Sequence, residues 1–254
     1  MTGRVSVVVL TALALLLVGW THAPPAGAQD QARVTDGLVA LYTFNDEGDA
    51  ILDAAETAEP LSLQIAEDSS AEVSEGALTI SGSSLVASEQ PATALATACL
   101  ESNEVTVEAW VQPASLDQTG PARIVTLSSD PSTRNFTLGQ EGDRYIVRLR
   151  TTQTNLGGSP DFEALKGSLT TDLTHVVFTR AADGIVRIYI NGKLVALGQR
   201  LGDLSNWADD LRLGLGNELT RDRPWLGSIH LVAIYSRALS EDEIRANLEA
   251  GPDA

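Results

Sequence analysis

One short stretch of the sequence gathers most of the residue types that can do chemistry. Residues 216–244 read GNELTRDRPWLGSIHLVAIYSRALSEDEI. The first fifteen of them include an amide, carboxylates, arginines, an indole and an imidazole: Asn217, Glu218, Arg221, Asp222, Arg223, Trp225 and His230. Such a set could be a catalytic cluster, a binding surface, or simply the last strand of a sheet with its turn and helix.

Binding is the chemistry for which the chain offers the most residues. Side-chain amides, arginines and aromatic rings recognise sugar hydroxyls and peptide carboxylates. Residues of these types lie on or beside predicted strands, and we predict that they form a ligand-binding site: Asn135, Gln140, Arg148, Arg150, Asn217, Glu218, Arg223 and Trp225. The alternative is a surface network of arginines and glutamates, in which Trp225 closes an edge of the fold.

Glycan hydrolysis has weaker support from the pattern. Glu104 and Glu108 share one face of a predicted strand, with Thr106 between them and Trp110 beyond. Residues four positions apart on a strand lie about 13 Å apart, whereas a retaining hydrolase needs two carboxyls about 5 Å apart. The spacing favours a polar sheet face with one large packed residue.

Nucleophilic and zinc chemistry are also disfavoured. His175 and His230 each begin an apolar strand, and neither is accompanied by a G-x-S-x-G element. Two scattered histidines and one cysteine make a poor zinc site. The carboxylates of residues 240–243 are explained by a helix start. We therefore assign no catalytic residue and predict that the protein is not an enzyme.

Calcium is the one cofactor that the sequence suggests. Residues 44–49 read FNDEGD and supply oxygen donors from Asn45, Asp46 and Asp49. Calcium takes six to eight oxygens, so this loop alone is too small a set. The alternative interpretation is an exposed turn after the first strand.

The elements that must position these residues are β-strands almost throughout. Residues 104–111 alternate between apolar and polar, as a strand with one face in a core does. Residues 174–198 predict three strands joined by tight turns at Asp183-Gly184 and Asn191-Gly192, because such dipeptides favour hairpins. About a dozen short strands with no alternating helices indicate an all-β, two-sheet antiparallel sandwich.

Helix is predicted only at the C-terminus. Ser240, followed three residues later by Glu243, has the spacing of a capping box. Cys99 lies in an apolar setting and is interpreted as a small buried residue, not a nucleophile. A single cysteine also excludes an internal disulfide framework.

The N-terminus predicts export. Arg4 precedes an apolar run from Val7 to Trp20, and small residues lie at Ala26 and Ala28. This pattern is typical of a signal peptide over residues 1–28, cleaved after Ala28. The run is shorter than the ~20 residues of a membrane span, so we expect no membrane insertion of the mature chain. Residues 29–254 are then predicted to form one domain in a secreted, periplasmic or cell-envelope protein.

The charge of the chain is strongly negative and unevenly distributed. The formal net charge is −17, and residues 36–122 hold sixteen Asp and Glu with no Lys or Arg. From Arg123 onward the charges almost balance. A balance of this sign argues against nucleic acid and anionic membranes as partners.

Four segments together resemble a known family. They are GLVALYTFNDEGDAILDAA, EVTVEAWVQPAS, THVVFTRAADGIVRIYINGKLVA and WLGSIHLVAIYSRALSEDEI, in this order along the chain. Their pattern is similar to bacterial laminin-G-like modules of the concanavalin A-like lectin/glucanase superfamily, over residues 36–251. The resemblance implies a jelly-roll sandwich, usually non-catalytic, often binding sugar or protein and sometimes calcium.

The chain departs from this family at one position. Many members carry an acidic residue in the last strand that can ligate calcium, where this chain has His230 followed by Leu231. Neutral imidazole and an alkyl side chain are poor ligands for a hard cation. The departure argues against the inherited calcium site.

Residues and resemblance together predict an exported, non-catalytic laminin-G-like recognition module. Its expected partner is a polysaccharide or an extracellular or envelope protein. The alternatives are a glycan-cleaving hydrolase on the same sandwich and a passive structural or assembly domain.

Overall fold

A computed structural model of the chain describes Gly3, residues 32–46 and residues 48–253. The predicted signal peptide, Gly3 apart, and Glu47 lie outside the described residues. The described residues from 32 onward belong to one compact unit. The domain start at residue 29 and the cleavage after Ala28 stay predictions.

Sixteen strands and two helices make up the described part of the chain. In chain order they are β1 (Leu38–Tyr42), β2 (Ala50–Ile51), β3 (Leu63–Ile65), β4 (Ala71–Ser74), β5 (Ala77–Ile80), β6 (Val86–Ser88), α1 (Thr93–Ser102), β7 (Val105–Pro113), β8 (Ala122–Asp130), β9 (Thr133–Glu141), β10 (Arg144–Leu149), β11 (Phe162–Glu163), β12 (Thr174–Arg180), β13 (Ile185–Ile190), β14 (Lys193–Gln199), β15 (Arg212–Leu215), β16 (Gly227–Tyr235) and α2 (Glu241–Ala250).

The strands form two antiparallel sheets, which confirms the predicted sandwich. The first sheet has the order β14-β13-β12-β7-β16-β5-β4, and β1 also pairs with β16. The second sheet has the order β11-β10-β9-β8-β15-β6-β3-β2. Neighbours that are distant in sequence, such as β7 and β16, show that the chain crosses repeatedly between the sheets.

The main core lies between the inner faces of the two sheets. On β7 the residues from Val105 to Val111 with odd numbers are buried, as the alternation predicts. The second sheet contributes Phe136, Val147 and Leu149 to the same core. Because side chains alternate along a strand, the residues between these core positions lie on the outer faces of the sheets.

Both predicted hairpin turns are confirmed. The turn between β13 and β14 places Asn191 at φ 48° and Gly192 at φ 72°, in the left-handed region that Asn and Gly tolerate best. Gly184 has φ 82° in the turn between β12 and β13. Local sequence therefore predicts the two turns, although the pairing of β13 with β14 also contains a register shift between Ile188 and Tyr189.

The outer face of the first sheet is covered by the C-terminal helix. Leu231, Ala233 and Tyr235 of β16 pack there with Ile244 of α2, in a second hydrophobic cluster separate from the main core. β16 is therefore buried on both faces, which explains its continuous apolar sequence. The predicted capping box at the start of α2 is confirmed, with both of its hydrogen bonds formed.

A sealed polar cluster lies under α2, where the sequence predicted only a polar sheet face. Glu108 is fully buried and accepts hydrogen bonds from Arg33 and Asn247, the latter at 2.7 Å. His175 lies opposite, with its Nε2 atom 2.9 Å from Glu108 Oε1. The outer face of β7 is polar as expected, but the N-terminal segment and α2 exclude it from solvent.

The prediction of helix only at the C-terminus is wrong, because α1 spans residues 93–102. Its first turn contains no acidic residue, and Ala92 at the N-cap provides no side-chain hydrogen bond, so the usual start signals are absent. Cys99 lies on the buried side of α1, which confirms its interpretation as a packed residue. Burial raises the pKa of its thiol to about 12.

Neither helix has the length or the apolar character needed to span a lipid bilayer, as far as the described residues are concerned.

Candidate functional site

The outer face of the second sheet carries an unusual number of polar side chains. Pairing between β8 and β9 is interrupted by register shifts, one of them between Arg123 and Val125. The shift lets Ile124 and Val125 both enter the core while Arg123 and Thr126 stay on the outer side. A strict alternation read from the sequence cannot produce this arrangement.

These side chains form one hydrogen-bonded chain that is closed to solvent. Arg123 Nε donates to Glu218 at 3.1 Å, and Ser128 donates to the other oxygen of Glu218. From Ser128 the bonds continue through two threonine hydroxyls to the guanidinium of Arg134: Thr126 and Thr137, 2.7 Å apart. Every member is fully buried. The network therefore lies beneath the surface and exposes no group for direct contact with a ligand.

The network is rich in positive charge. Burial, and then the nearby charges of Arg123 and Arg148, lower the pKa of Arg134 to about 10. Arg134 therefore stays protonated at neutral pH. It donates to Thr137 and to the carbonyl of Pro131, and no carboxylate in the described part of the chain forms an ion pair with it. Burying a cation without a counter-charge is costly, so the region is electrostatically unusual.

A groove of about 420 Å³ lies next to Arg134, and we call it the 131–159 groove. It is lined by Pro131, Ser132, Arg148, Asn155, Leu156, Gly157 and Ser159. The residues come from the β8–β9 turn, from β10 and from the loop that follows β10. Arg134 contacts the lining directly through the Pro131 carbonyl.

The polar groups of the groove lining have unused hydrogen-bonding capacity. Arg148 is fixed by a two-point ion pair with Asp161, through Nε at 2.7 Å and Nη2 at 3.2 Å. Its Nη1 atom donates to no group of the described residues, and neither does the Asn155 Nδ2 atom. The hydroxyls of Ser132 and Ser159 are likewise uncommitted among those residues. Leu156 adds an apolar surface with 53% exposure.

The loop that forms one wall of the groove is specified by its own sequence. Asn155 accepts a hydrogen bond from the Ser159 backbone through its side chain, and its carbonyl accepts one from Gly158. Gly158 has φ 73°, and an added Cβ would lie 2.7 Å from the backbone nitrogen of Leu149. Only glycine allows the loop to pack this closely against β10.

Five of the eight residues predicted to bind ligand are buried and have structural partners. They are Asn135, Gln140, Asn217, Glu218 and Trp225. Asn135 bonds both backbone groups of Ala208, and Trp225 donates its indole N–H to Gln140 at 2.9 Å. Trp225 therefore offers no exposed aromatic surface, and the alternative interpretation of this residue fits its position better.

The three arginines of the predicted set have different surroundings. Arg148 lines the 131–159 groove. Arg150 follows β10, and burial lowers its pKa while the charge of Asp210 opposes that shift. Arg223 pairs with its neighbour Asp222 at 2.9 Å. Of the predicted set, Arg148 is the residue that the structure places in a groove.

The residues predicted to bind calcium, Asn45, Asp46 and Asp49, are all exposed. Asn45 bonds its side chain to Thr43. Asp53, the nearest further carboxylate, accepts backbone N–H groups from Leu41 and Leu61. Among the described residues, no three His, Cys, Asp or Glu side chains are grouped so that they could hold a metal ion. Calcium binding by residues 45–49 stays a prediction without structural support.

Glu104 and Glu108, the carboxylates considered for hydrolysis, form hydrogen bonds within the fold. Glu108 is sealed under α2, and Glu104 accepts hydrogen bonds from the backbones of Ala182 and Ala238. The lining of the 131–159 groove contains no Asp or Glu. A glycosidase needs two carboxyls facing its substrate, and this groove does not offer them.

A second and larger groove, of about 750 Å³, lies between α1 and residues 57–61. Its lining is mostly alanine, proline, threonine and leucine, and its two charged residues are Glu59 and Glu101. Small and apolar residues give it few directional donors. The 131–159 groove is therefore the stronger candidate for a specific site.

Comparison with known proteins identifies the family. A laminin G-like family model, described as Concanavalin A-like lectin/glucanases superfamily, matches residues 87–245, which is more than half of the chain. The chain belongs to this superfamily. The groove residues 131–159 lie inside the matched region.

Solved structures share the fold of this laminin G-like chain. Domain 4 of AbnA, a GH43 extracellular arabinanase from Geobacillus stearothermophilus in complex with arabinotriose, is 22% identical with a TM-score of 0.57. The match covers 83% of this chain and 98% of that one. At this identity the likeness establishes the fold alone.

Two further similar structures are larger than this chain. The receptor binding domain of botulinum neurotoxin C/D mosaic serotype is 15% identical, with a TM-score of 0.63 over 86% of this chain and 52% of its own. Trypanosoma rangeli sialidase in complex with sialic acid is 18% identical, with a TM-score of 0.60 over 84% of this chain and 33% of its own. No curated protein matched the sequence.

Proposed function

We propose that the protein is an exported, non-catalytic recognition module that binds a polysaccharide at the 131–159 groove. The observation that carries the proposal is the Arg148 guanidinium, which lines the groove, is held in place by Asp161 and keeps one nitrogen, Nη1, without a partner among the described residues. A fixed donor of this kind is oriented before a ligand arrives, so little conformational entropy is lost on binding.

The other groove residues suit a saccharide better than a peptide side chain. Sugars present many hydroxyl acceptors together with apolar ring faces. Asn155 and the two serines match the hydroxyls, and the exposed Leu156 matches a ring face. A volume of about 420 Å³ fits a short stretch of a polysaccharide chain. An extracellular or envelope protein is the other partner class that the fold accommodates.

The comparisons are compatible with binding outside the cell. The arabinanase domain belongs to an extracellular enzyme and was solved with an oligosaccharide, and the toxin domain is a receptor-binding domain. Folds host unrelated functions, so this likeness adds to the argument from the groove and does not replace it. The absence of carboxylates from the groove lining supports a role without catalysis.

A glycan array probed with the purified protein, with and without calcium, tests the proposal. We expect saturable binding that does not require calcium and that falls at least about tenfold in Arg148→Ala, since a hydrogen bond to a charged group is lost. Arg245→Ala is the matched control, because Arg245 is also an ion-paired arginine but lies on α2, on the opposite outer face.

Two results would overturn the proposal. One is equal loss of binding in Arg148→Ala and Arg245→Ala when thermal unfolding shows both variants to be folded. The other is the absence of binding to any glycan, which would favour a protein partner or a passive structural domain. A pull-down from an extracellular protein fraction with the same variants separates these two.

A further inference from the structure

We propose that the saccharide bound in the 131–159 groove is acidic, and that its anionic group is recognised by Arg148. This inference rests on the proposed function and specifies the chemical class of its ligand. The shared chemistry is a negatively charged group on a sugar, either the carboxylate of a uronic acid or a sulfate ester.

The first argument is the charge of the groove itself. Arg148 is the single ionised side chain among the lining residues, and the remaining polar groups are neutral. Residues 131–160 contain four arginines and two acidic residues, in contrast to the acidic first half of the domain. Asp130 and Asp161, at either end of this range, bring the count to four against four, so the sequence around the groove is balanced in charge while the first half of the domain is strongly acidic.

The second argument is the buried charge behind the groove. Arg123 and Arg134 lie under the same face, and their only carboxylate in ion-pair contact, within the described residues, is Glu218. With Arg148 and its partner Asp161, two of these three guanidiniums are in ion-pair contact with a carboxylate, whereas Arg134 has no such contact within the described residues. An anion in the groove would bring a negative charge toward Arg134, whereas a neutral sugar would not.

Asp130 is a further carboxylate whose charge acts on Arg134, and its hydrogen bonds lie within the β8–β9 turn. It accepts the Ser132 backbone N–H at 2.7 Å and the Ser129 hydroxyl at 3.1 Å, and it makes no ion pair with Arg134. The negative charge of Asp130 nevertheless offsets part of the positive charge of Arg134, and it raises the pKa of that arginine. Removing that charge should make the groove more attractive to anions.

The Arg148–Asp161 ion pair fixes the orientation of the guanidinium and uses only two of its three nitrogens. Asp161 occupies Nε and Nη2, so the remaining nitrogen, Nη1, is held in one position. Both side chains are about one quarter exposed, with 23% and 25% of their surface accessible. A ligand anion can therefore approach Nη1 without displacing Asp161.

Binding of matched oligosaccharides to the full-length protein tests the inference. The probes are a neutral arabinan oligomer, a galacturonate oligomer of similar length and a sulfated oligomer, measured by calorimetry. We expect the acidic probes to bind at least about tenfold more tightly than the neutral one, as a charge-assisted hydrogen bond implies. The preference between galacturonate and the sulfated oligomer identifies the source of the anionic group.

Two substitutions at one position distinguish charge from hydrogen bonding. Arg148→Lys keeps the charge but loses the planar donor, and Arg148→Gln keeps a donor but loses the charge. We expect the preference for acidic probes to persist in part in Arg148→Lys and to disappear in Arg148→Gln. Thermal unfolding of both variants verifies that the fold is intact.

A gain of affinity provides the third measurement. Asp130→Asn keeps the acceptor for Ser132 and removes a negative charge, so binding of the acidic probes should strengthen by about two- to fivefold, as loss of one screened repulsive charge predicts. Asp242→Asn on α2 removes an equal charge from the opposite outer face and serves as control.

The outcomes separate the inference from the proposed function. Equal affinity for neutral and acidic probes, unchanged by Arg148→Gln, would overturn the acidic ligand and leave saccharide binding intact. Failure of every probe to bind, together with an empty glycan array, would overturn both.

Discussion

At the scale of single residues, the two sandwich faces use buried carboxylates to hold cations in place. Glu218 is fully buried and is the only carboxylate, among the described residues, in ion-pair contact with the buried Arg123. On the opposite face, Glu108 holds Arg33 beside His175. In both places a charge taken out of water is compensated by one partner and several hydrogen bonds.

Removal of the Glu218 charge should be strongly destabilising. Glu218→Gln leaves Arg123 buried without its counter-charge, so we expect the free energy of unfolding to fall by about 3–5 kcal/mol. Glu163→Gln is the matched control, because Glu163 also pairs with an arginine, Arg144, but is 43% exposed. Its loss should cost less than about 1 kcal/mol. Urea denaturation measures both, and similar losses would show that burial does not control this interaction.

At the scale of elements, the two helices differ in how their starts are encoded. α2 begins at a serine that accepts a hydrogen bond from the Glu243 backbone, while the Glu243 side chain accepts one from the Ser240 backbone. α1 begins after Ala92 without any side-chain cap. The sequence therefore predicts α2 from local signals, and α1 depends on packing of Leu95, Ala96 and Cys99 into the core.

The capping box of α2 should contribute measurably to stability. Ser240→Ala removes the acceptor at the helix start, and we expect a loss of about 1 kcal/mol in the free energy of unfolding. Ser240→Asp keeps a side-chain oxygen at this position and should restore most of it. If Ser240→Asp unfolds at the same urea concentration as Ser240→Ala, the helix start is not stabilised in this way.

The strands were the most predictable part of the fold, for a physical reason. A strand with one face in the core must alternate, and a tight hairpin needs residues that tolerate positive φ, so β7 and the β12–β14 hairpins are visible in the sequence. The candidate site was less predictable. Arg148 could be placed on the outer face, but the burial of Trp225 and Glu218 depends on contacts with distant segments.

The loop that lines the groove beside Arg148 illustrates this limit. Residues 152–161 could be predicted as a loop from their turn-forming composition, but not that this loop folds back against β10. The close approach of Gly158 to Leu149 is a tertiary contact, and the only local sign of it is a pair of glycines. Asn155 was therefore missed as a site residue.

At the scale of the whole molecule, two carboxylates link the docking of α2 to pH. Burial would raise the pKa of Glu108, but the hydrogen bonds and charges of His175 and Arg33 outweigh it, so the pKa is lowered. Hydrogen bonds from Arg237 lower the pKa of Glu243 from 4.5 to about 2. Both groups stabilise the folded state above their ordinary pKa and lose this contribution as pH falls through the lowered value.

We expect the free energy of unfolding to decrease as pH falls from about 4.5 toward 2, and Glu243→Gln to flatten part of this slope. The measurement is urea denaturation at closely spaced pH values. Glu249→Gln, also on α2 but exposed and distant from Arg237, is the control. An identical slope in wild type and Glu243→Gln would contradict the linkage between this carboxylate and folding.

The polar cluster under α2 also brings the two ends of the folded domain together. Arg33 Nη2 donates to the Gly251 carbonyl at 2.7 Å, on the outer face of the first sheet. The 131–159 groove opens on the outer face of the other sheet. A tether attached at residue 33 or residue 251 therefore starts on the side opposite the groove, so immobilisation through such a tether leaves the groove accessible to solvent.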